Sequence, residues 1–332
     1  GHSVGRNEVR SWRESLGYMA KVLTDDEIPH DTGVAVELHI PQSSKRIDVT
    51  LTGLDGTGSP RAVLVELKQW SESALTSKDG IVRTFVGGAQ REVVHPAYQA
   101  WSYANFLQDF NVAIQETPIQ LHPVAYLHNY DPASRDELEN QIYSDYTDAA
   151  PLFLKGEVGN FRSYLESRLE TGDEGSILTQ IAESELRPST SLQNAILSML
   201  EGNDEFTLFG SQKVVFEEAI SLAQQCHEDG QKRVLLVEGE PGSGKTVVAV
   251  NILVELLQRD LTAQYVSKNA APRDVYEQKL REGSLLVKEI KHLFTGAGSF
   301  VETDTNAVDA LIADEAHRLN AESNFLGRGE HQ

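Results

Sequence analysis

The hydrophobic pattern of the first 150 residues predicts an α/β unit of helices and short strands. Apolar side chains recur at a spacing of about 3.6 residues from Asn7 to Leu23, which predicts an opening helix. Further along, alternating apolar and polar positions predict strands. The predicted strands cover residues 34–40, 47–51, 62–68 and 122–128, and a second predicted helix covers residues 96–108.

The pattern changes after residue 150 and again near residue 206. Residues 151–205 are polar, mostly helical in character and interrupted by segments with Gly and Pro, which predicts a helical connector. The sequence from residue 206 onward carries a phosphate-binding pattern. The predicted organisation is therefore a first domain at 4–150, a connector at 151–205 and a P-loop domain at 206–332.

Composition narrows the functional classes. The chain has 332 residues, 40% of them apolar, which is enough for two or three domains with their own cores. A single cysteine, Cys226, cannot form an intramolecular disulfide, and no apolar run reaches the ~18 residues of a membrane span. These features predict a cytoplasmic protein. The net charge of −21 argues against non-specific nucleic-acid binding by a global field, although a local basic groove remains open.

The segment that begins at Val234 combines an apolar run, a glycine-rich loop and a helical pattern. The run Val234–Val237 is predicted to form a buried strand. The loop fills every fixed position of the P-loop pattern, and it reads Gly239-Glu240-Pro241-Gly242-Ser243-Gly244-Lys245-Thr246. In such loops, backbone N–H groups and the lysine hold phosphate oxygens, and the threonine hydroxyl binds Mg²⁺. The segment therefore predicts a site for ATP and Mg²⁺.

Other residues complete the predicted ATPase site. Asp314 and Glu315 follow a short apolar run. Asp314 is predicted to bind the same Mg²⁺ as Thr246, and Glu315 to orient and deprotonate the attacking water. Upstream, Gln212 is predicted to hydrogen-bond the adenine edge. The loop Ser267–Arg273 carries two cations and is predicted to contact nucleic-acid phosphates.

Three segments resemble the Schlafen group 3-like DNA/RNA helicase family, which is itself similar to superfamily 1 helicases. They are the P-loop, the loop Ser267–Arg273 and the segment Asp314–Leu319. The resemblance covers residues 206–332 and implies a RecA-like ATPase lobe with a parallel sheet. Helicases of this kind use a second RecA-like lobe that supplies an arginine finger. Residues 206–332 are therefore expected to be an incomplete helicase core.

The first domain carries a second candidate site. Glu66 and Lys68 share one face of a predicted strand, and Asp48 lies on the preceding predicted strand. Carboxylates on neighbouring strands can hold Mg²⁺ or Mn²⁺ for phosphodiester hydrolysis, and the lysine can position water or stabilise the transition state. The pattern resembles the PD-(D/E)xK nuclease superfamily, with Ile47 in place of the usual proline. This resemblance implies a restriction-endonuclease-like mixed sheet flanked by helices.

Helical residues extend this resemblance. Gln99 and Tyr103 lie one helical turn apart. They resemble the Gln-x-x-x-Tyr helix of the RecB-like branch. This resemblance implies that Gln99 contacts metal-bound water or a DNA phosphate and that Tyr103 supports Gln99. Many members take a further acid from the first helix, where Glu8 borders the apolar face and is favoured over Glu14. Three histidines fit no zinc-binding spacing and are expected to be core or surface residues, namely His95, His122 and His128.

Together these patterns predict a metal-dependent nuclease fed or gated by an ATP-binding helicase-type domain. DNA is the expected substrate and RNA the alternative. The layout is typical of bacterial proteins of phage defence. Two other functions remain open, an ATP-gated nucleic-acid sensor that does not translocate and a binding protein with an inactive nuclease fold. A second copy of the chain or another protein also remains open as a partner, and no membrane partner is expected.

Overall fold

The computed structural model of the chain describes residues 6–24, 27–40, 46–187, 207–240, 242–267, 293–295, 307–318, 322–323 and 330–331. For residues 6–13, 322–323 and 330–331 it describes the backbone only. The chain divides into two compact units, the first formed by Gly1–Ser189 and Phe209–Val214 and the second by Thr190–Leu208 and Val215–Gln332. Within the described parts of the chain, no helix is both long and apolar enough to cross a membrane.

The first unit is a mixed α/β structure. In chain order its elements are α1 (Arg6–Leu23), β1 (Gly33–His39), β2 (Arg46–Leu54), β3 (Pro60–Lys68), β4 (Ala74–Leu75), β5 (Ile81–Val86), β6 (Ala89–Val94), α2 (Pro96–Phe110), α3 (Val112–Glu116), β7 (Gln120–Leu127), two 3₁₀ turns (Pro132–Glu137 and Gln141–Tyr143), α4 (Ser144–Ala149), β8 (Leu152–Leu154), α5 (Val158–Glu166) and α6 (Ser176–Glu183).

Two sheets organise this unit. The larger has the order β1-β2-β3-β7-β8, in which β1, β2 and β3 are antiparallel neighbours, whereas β7 runs parallel to both β3 and β8. The smaller sheet, β4-β5-β6, is antiparallel and lies between β3 and α2 in the chain. The mixed sheet agrees with the fold class that the sequence predicted.

Apolar side chains cover both faces of the larger sheet. On one face, alternate residues of β3 such as Val63 and Val65 pack against side chains of α1 and α5. On the other face, Ala62 and Leu64 pack against α2 and α6. Because side chains alternate along a strand, Glu66 continues the row of Ala62 and Leu64 and lies on the α2 face. The period-two pattern of β3 thus predicted which of its side chains would face each of the two cores.

The structure contains elements that the hydrophobic pattern did not predict. The smaller sheet is one of them, although its tight turn at Gly87–Gly88 is a hairpin signal. The first unit also extends past residue 150, the boundary expected from the sequence, because β8 joins the sheet and α5 and α6 pack into its cores. Residues 188–206 of the expected connector lie outside the described residues.

The second unit contains a parallel sheet. Its elements are α7 (Ser211–Asp229, whose first four residues belong to the first unit), α8 (Lys245–Gln258), β9 (Ala263–Val266), β10 (Phe294–Thr295), β11 (Ala310–Ala313), β12 (Glu322–Ser323) and β13 (Glu330–His331). Strand β9 lies between β10 and β11 and is parallel to both. Helix α8 buries Val250, Leu253 and Leu256 against β9 and α7. The predicted parallel sheet is therefore present.

The prediction of a buried strand at Val234–Val237 is wrong. This segment forms no strand in the structure, and its side chains are exposed, with Val234 at 93% and Leu236 at 75% exposure. A short apolar run becomes a strand only when a neighbouring strand pairs with its backbone. The parallel sheet of the second unit consists of β9, β10 and β11, and among the described residues no strand pairs with this run.

Candidate functional site

The first candidate site lies where β2 and β3 stop pairing. Their backbone register ends at Val49 opposite Val65, and the next residues along are Asp48 and Glu66. Here Asp48 Oδ2 accepts a hydrogen bond of 2.7 Å from the Leu67 N–H. The carboxylate thus takes the place of a strand carbonyl, and its charge interacts with the Glu66 carboxyl.

Glu66 is a buried carboxylate with only one of its oxygens paired. The residue is 3% exposed, and its Oε1 accepts a hydrogen bond of 2.6 Å from Lys68 Nζ. Its Oε2 is buried and has no hydrogen-bond partner. An unpaired buried carboxylate oxygen typically costs on the order of 1–3 kcal/mol. A cation held between Asp48 and Glu66 would supply the missing interaction, which makes this pair chemically suited to Mg²⁺ or Mn²⁺.

The electrostatics of the cluster favour a bound cation. Burial and then the charge of Asp48 raise the pKa of Glu66 to about 8, against the opposing effect of Lys68. Burial likewise raises the pKa of Asp48, again opposed by Lys68. Burial lowers the pKa of Lys68, but Glu66 and Asp48 outweigh it, and the net pKa is raised. The ammonium is therefore charged at neutral pH, whereas the two carboxyls resist carrying two negative charges without a further cation.

Helix α2 adds two of the predicted residues to this cluster. Lys68 Nζ donates a second hydrogen bond, of 3.0 Å, to Gln99 Oε1, and Gln99 Nε2 donates to the Tyr103 hydroxyl at 3.1 Å. Burial and then the charge of Glu66 raise the pKa of Tyr103, which keeps the phenol neutral. The structure thus joins Glu66, Lys68, Gln99 and Tyr103 in one chain of contacts. The sequence predicted the members of this chain but not its order.

His95 fixes the start of α2. Its Nδ1 accepts a hydrogen bond from the Ala97 N–H at 3.1 Å, and its Nε2 lies 2.9 Å from the Leu138 carbonyl, to which it donates. The ring stacks on Tyr143 at 4.5 Å. Burial lowers the pKa of His95 to about 4, which keeps it neutral. The expected core role of this histidine is confirmed, and that role is to cap the helix that carries Gln99.

His128 ties α1 to the same end of the sheet. Its Nε2 lies 3.0 Å from Ser15 Oγ of α1, and Gln69 Nε2 donates to the same hydroxyl at 3.2 Å. Tyr18 stacks on the imidazole at 4.2 Å. Because Gln69 directly follows Lys68, these contacts place α1 beside the strand end that carries the cluster. They also confirm that His128 is a core residue, since it is 1% exposed.

The predicted third acid is not part of the described cluster. Glu8 lies in α1, but its side chain is outside the described residues, and Glu14 is exposed. No group of three or more His, Cys, Asp or Glu side chains within the described part of the chain could hold a metal. Asp48 and Glu66 form a two-carboxylate site there.

One acidic neighbour of Asp48 was missed by the sequence analysis. Glu37 of β1 lies between Val36, which pairs with Val49, and Leu38, which pairs with Ile47, so it is level with Asp48. Its charge contributes, after burial, to raising the pKa of Asp48. Its φ of 51° is in the left-handed region, which is rare for a non-glycine residue in a strand. Its carboxylate pairs with Arg46 at 2.6 Å. Only the position of Glu37 level with Asp48 could have identified it, and that required the register.

In the second unit, the lysine side chain of the P-loop contacts the backbone of the loop. Gly244 caps α8 with a φ of 80°, and Lys245 Nζ donates to the carbonyls of Gly239 at 2.9 Å and of Glu240 at 3.0 Å. A Cβ atom at Gly239 would lie 2.7 Å from Ser243 Oγ, a distance that real Cβ atoms do not adopt. A larger residue at this position would therefore displace the Ser243 side chain. Gly242 also has a φ of 80°, and Pro241 is outside the described residues.

The two predicted Mg²⁺ ligands of the P-loop site meet in the structure. Thr246 Oγ1 donates to Asp314 Oδ2 at 2.9 Å, and the Tyr265 hydroxyl donates to the same oxygen. Asp314 Oδ1 accepts from the Glu315 N–H at 2.9 Å. Tyr265, which lies on the neighbouring strand β9, was not predicted as a site residue. The sequence does not predict this contact, because the contact depends on the pairing of β9 with β11.

Glu315, the predicted base, has local partners. Its Oε2 lies 3.3 Å from both His317 Nε2 and Arg318 Nε. Its φ of 53° is again in the left-handed region. The strained backbone and the two contacts hold this carboxylate against the turn that follows β11.

Gln212 lies in the first turn of α7, in the part of the helix that belongs to the first unit. Its Oε1 accepts a hydrogen bond of 3.0 Å from the Phe209 N–H. Phe209 packs against Tyr103, and Lys213 pairs with Asp79 at 2.7 Å. Adenine recognition by Gln212 stays a prediction. Of the predicted phosphate-binding loop, residues 268–273 lie outside the described residues.

Comparison with protein families identifies part of the second unit. Residues 232–332 match the family model described as Schlafen group 3, DNA/RNA helicase domain. This match confirms the helicase-family resemblance over that segment, which contains the P-loop and the pair Asp314–Glu315. Neither the comparison with curated proteins nor the comparison with solved structures gave a significant match.

Proposed function

We propose that this protein is a metal-dependent nuclease whose activity is coupled to ATP binding by a helicase-family domain. The carrying observation is the buried pair Asp48 and Glu66 beside Lys68, in which Glu66 Oε2 has no hydrogen-bond partner. A divalent cation bound between the two carboxyl groups would supply the interaction that this oxygen lacks.

Each residue of the cluster has a distinct role in this proposal. Asp48 and Glu66 would hold Mg²⁺ or Mn²⁺, which lowers the pKa of a bound water and neutralises charge that develops on the phosphate. Lys68 keeps its charge, and two of its three N–H donors go to Glu66 and Gln99. The third is left for a phosphate oxygen of the substrate. Gln99, held by Tyr103, positions the ammonium.

The P-loop site supplies the proposed ATP dependence. Lys245 and the loop amides would hold the phosphates of ATP, and Thr246 with Asp314 would hold Mg²⁺. Glu315 would orient the attacking water. The family match supports nucleic acid as the partner, with DNA proposed over RNA. The combination of nuclease and helicase-type domain suggests phage defence as the biological setting.

A cleavage assay tests the proposal. Plasmid, single-stranded DNA, duplex DNA and RNA are incubated with Mg²⁺ or Mn²⁺ and the wild-type chain, Glu66→Gln or Lys68→Ala. Glu116→Gln serves as a matched control, because Glu116 is a surface carboxylate whose side chain is 66% exposed. We expect both site variants to lose cleavage and the control to keep it, while all bind a fluorescent ATP analogue equally. Cleavage that persists in both site variants refutes the nuclease assignment.

The contacts of Glu315 favour a second candidate function. Because its carboxylate is paired with His317 and Arg318, the P-loop unit could bind ATP as a switch without rapid turnover. In that case the protein is an ATP-gated nucleic-acid sensor. ATP hydrolysis measured with and without single-stranded DNA separates the two functions. A coupled enzyme is stimulated by DNA, whereas a sensor hydrolyses ATP at one low rate in both conditions.

A further inference from the structure

The hairpin of β5 and β6 presents an aromatic ring to solvent. Phe85 is 58% exposed and lies one residue before the end of β5. Single exposed apolar residues are common on protein surfaces and by themselves indicate nothing. This one lies beside a tight turn, among polar neighbours and at a specific place in the chain.

The backbone holds the ring in a fixed position. Val86 pairs with Ala89, which leaves a two-residue turn at Gly87 and Gly88 with φ values of 58° and 81°. Two positive φ values in a two-residue turn match the twist of the flanking strands and make the hairpin tight. Glycine adopts both conformations without steric cost.

The base of the hairpin is anchored to the first unit. Thr84 Oγ1 donates to the Glu72 carbonyl at 2.7 Å, and the Tyr143 hydroxyl donates to the Ile81 carbonyl at 2.7 Å. Lys78 also pairs with Glu92 at 2.7 Å, which ties β6 to the preceding loop. Phe85 is therefore an exposed ring on a well-anchored element.

The neighbours of Phe85 suit a nucleic-acid strand. In the register of β5 and β6, Gln90 lies opposite Phe85, and Arg83 lies two residues before it on the same face. The Arg83 side chain is 53% exposed and lies 2.9 Å from Glu92, a carboxylate that it shares with Lys78, so two cations face one acid. Residues 74–94 contain three basic and two acidic side chains, a net charge of +1, in a chain whose net charge is −21. This small sheet is a local departure from the acidic character of the whole, complementary to phosphates.

The hairpin is inserted between two elements of the candidate nuclease site. It follows β3, which ends at Lys68, and it precedes α2, which carries Gln99. The His95 N–H at the start of α2 donates to the Gly80 carbonyl at the start of the hairpin, at 2.8 Å. A six-residue strand such as β5 is about 20 Å long, which corresponds to about six nucleotides of a stacked strand.

We propose that Phe85, flanked by Arg83 and Gln90, is a stacking platform for an unpaired base of a single-stranded nucleic acid. The ring face can stack only on a base that is not already stacked within a duplex, whereas the guanidinium attracts the phosphates on either side. The inference rests on the proposed function, because the bound strand is taken to be the nuclease substrate. The platform would favour single-stranded substrates or the frayed end of a duplex.

Binding measured without cleavage tests the platform. All variants are made in the full chain with Glu66→Gln, and the probe is a fluorescein-labelled 20-nucleotide oligothymidylate read by anisotropy. Stacking on one aromatic ring changes affinity by about 5- to 100-fold. We therefore expect Phe85→Ala to weaken binding of the single strand by that factor and to leave binding of a blunt duplex unchanged. Phe85→Trp should keep the affinity, and its added indole fluorescence should be quenched by the oligonucleotide.

Controls separate the possible failures. Leu75→Ala removes another exposed apolar side chain of the same small sheet, at 39% exposure, and should leave single-strand binding unchanged. The platform is refuted if Phe85→Ala and its parent bind the single strand with equal affinity. It is also refuted if Phe85→Ala loses the same factor of affinity for the single strand and for the duplex. If the wild type cleaves no substrate but Phe85→Ala still loses single-strand binding, the platform stands and the nuclease assignment fails. If the wild type cleaves a substrate and Phe85→Ala binds the single strand as tightly as its parent does, the nuclease assignment stands and the platform fails.

Discussion

Replacing Glu66 by glutamine should stabilise the metal-free protein above pH 5 and make its stability independent of metal. In the folded chain, burial and the charge of Asp48 raise the pKa of Glu66 from 4.5 to about 8. A raised pKa in the folded state means that the folded protein holds its proton more tightly than the unfolded chain does. The stability contributed by this proton is fully present below about pH 4.5 and is lost as the pH rises to about 8.

The magnitude follows from the same two values. One pKa unit corresponds to about 1.36 kcal/mol, and the pKa of Glu66 rises from 4.5 to about 8. Because Glu66 and Asp48 titrate as a coupled pair, only part of the difference belongs to Glu66 alone. We expect metal-free wild type to lose on the order of 2–4 kcal/mol of unfolding free energy between pH 5 and pH 8. Mn²⁺ or Mg²⁺ should restore it by replacing the proton.

Urea unfolding followed by circular dichroism at several pH values, with EDTA or with Mn²⁺, measures this effect. Glu66→Gln should show neither the loss of stability with pH nor stabilisation by Mn²⁺. Glu116→Gln, which alters a surface carboxylate, should behave as the wild type does. The reasoning is refuted if metal-free wild type and Glu66→Gln show the same pH dependence, or if Mn²⁺ stabilises both equally.

Three further predictions concern single side chains. Lys245→Ala should weaken binding of a fluorescent ATP analogue by about 100-fold, because a charged phosphate partner is lost, and isothermal titration measures this. Arg318→Ala should raise basal ATP hydrolysis by about 1.4- to 5-fold, because the exposed pair that it removes from Glu315 is worth about 0.2–1 kcal/mol. An unchanged steady-state rate would contradict this restraint on Glu315. Tyr103→Phe leaves the half-buried Gln99 amide without its acceptor and should slow single-turnover cleavage by about 5- to 100-fold without changing KM. An equal change in KM would instead indicate a role in substrate binding.

Local patterns predicted much of the first candidate site. The alternation in β3 placed Glu66 and Lys68 on one face, and the spacing of Gln99 and Tyr103 placed both on one side of α2. The structure adds what joins them, which is the contact of Lys68 with both Glu66 and Gln99. That contact could not be predicted from the sequence, because it depends on how α2 packs across the sheet.

Features set by pairing between distant segments were the ones that sequence reasoning missed. Val234–Val237 has the composition of a buried strand, but no described strand pairs with it. Glu37 looks like an ordinary strand residue until the register places it level with Asp48. Periodicity reports the faces of a single element, whereas both of these features depend on neighbours far along the chain.

The parallel pairing of β3 with β7 has a consequence for the order in which the protein assembles. The chain between them, residues 69–119, contains the whole small sheet together with α2, and it must be arranged before the two strands can join. Contacts between such distant segments form late in folding. Since β3 carries Glu66 and Lys68 while α2, which lies within this connection, carries Gln99, the cluster depends on how the connection is arranged. A chain in which this connection is not yet arranged would therefore lack the contact between Lys68 and Gln99.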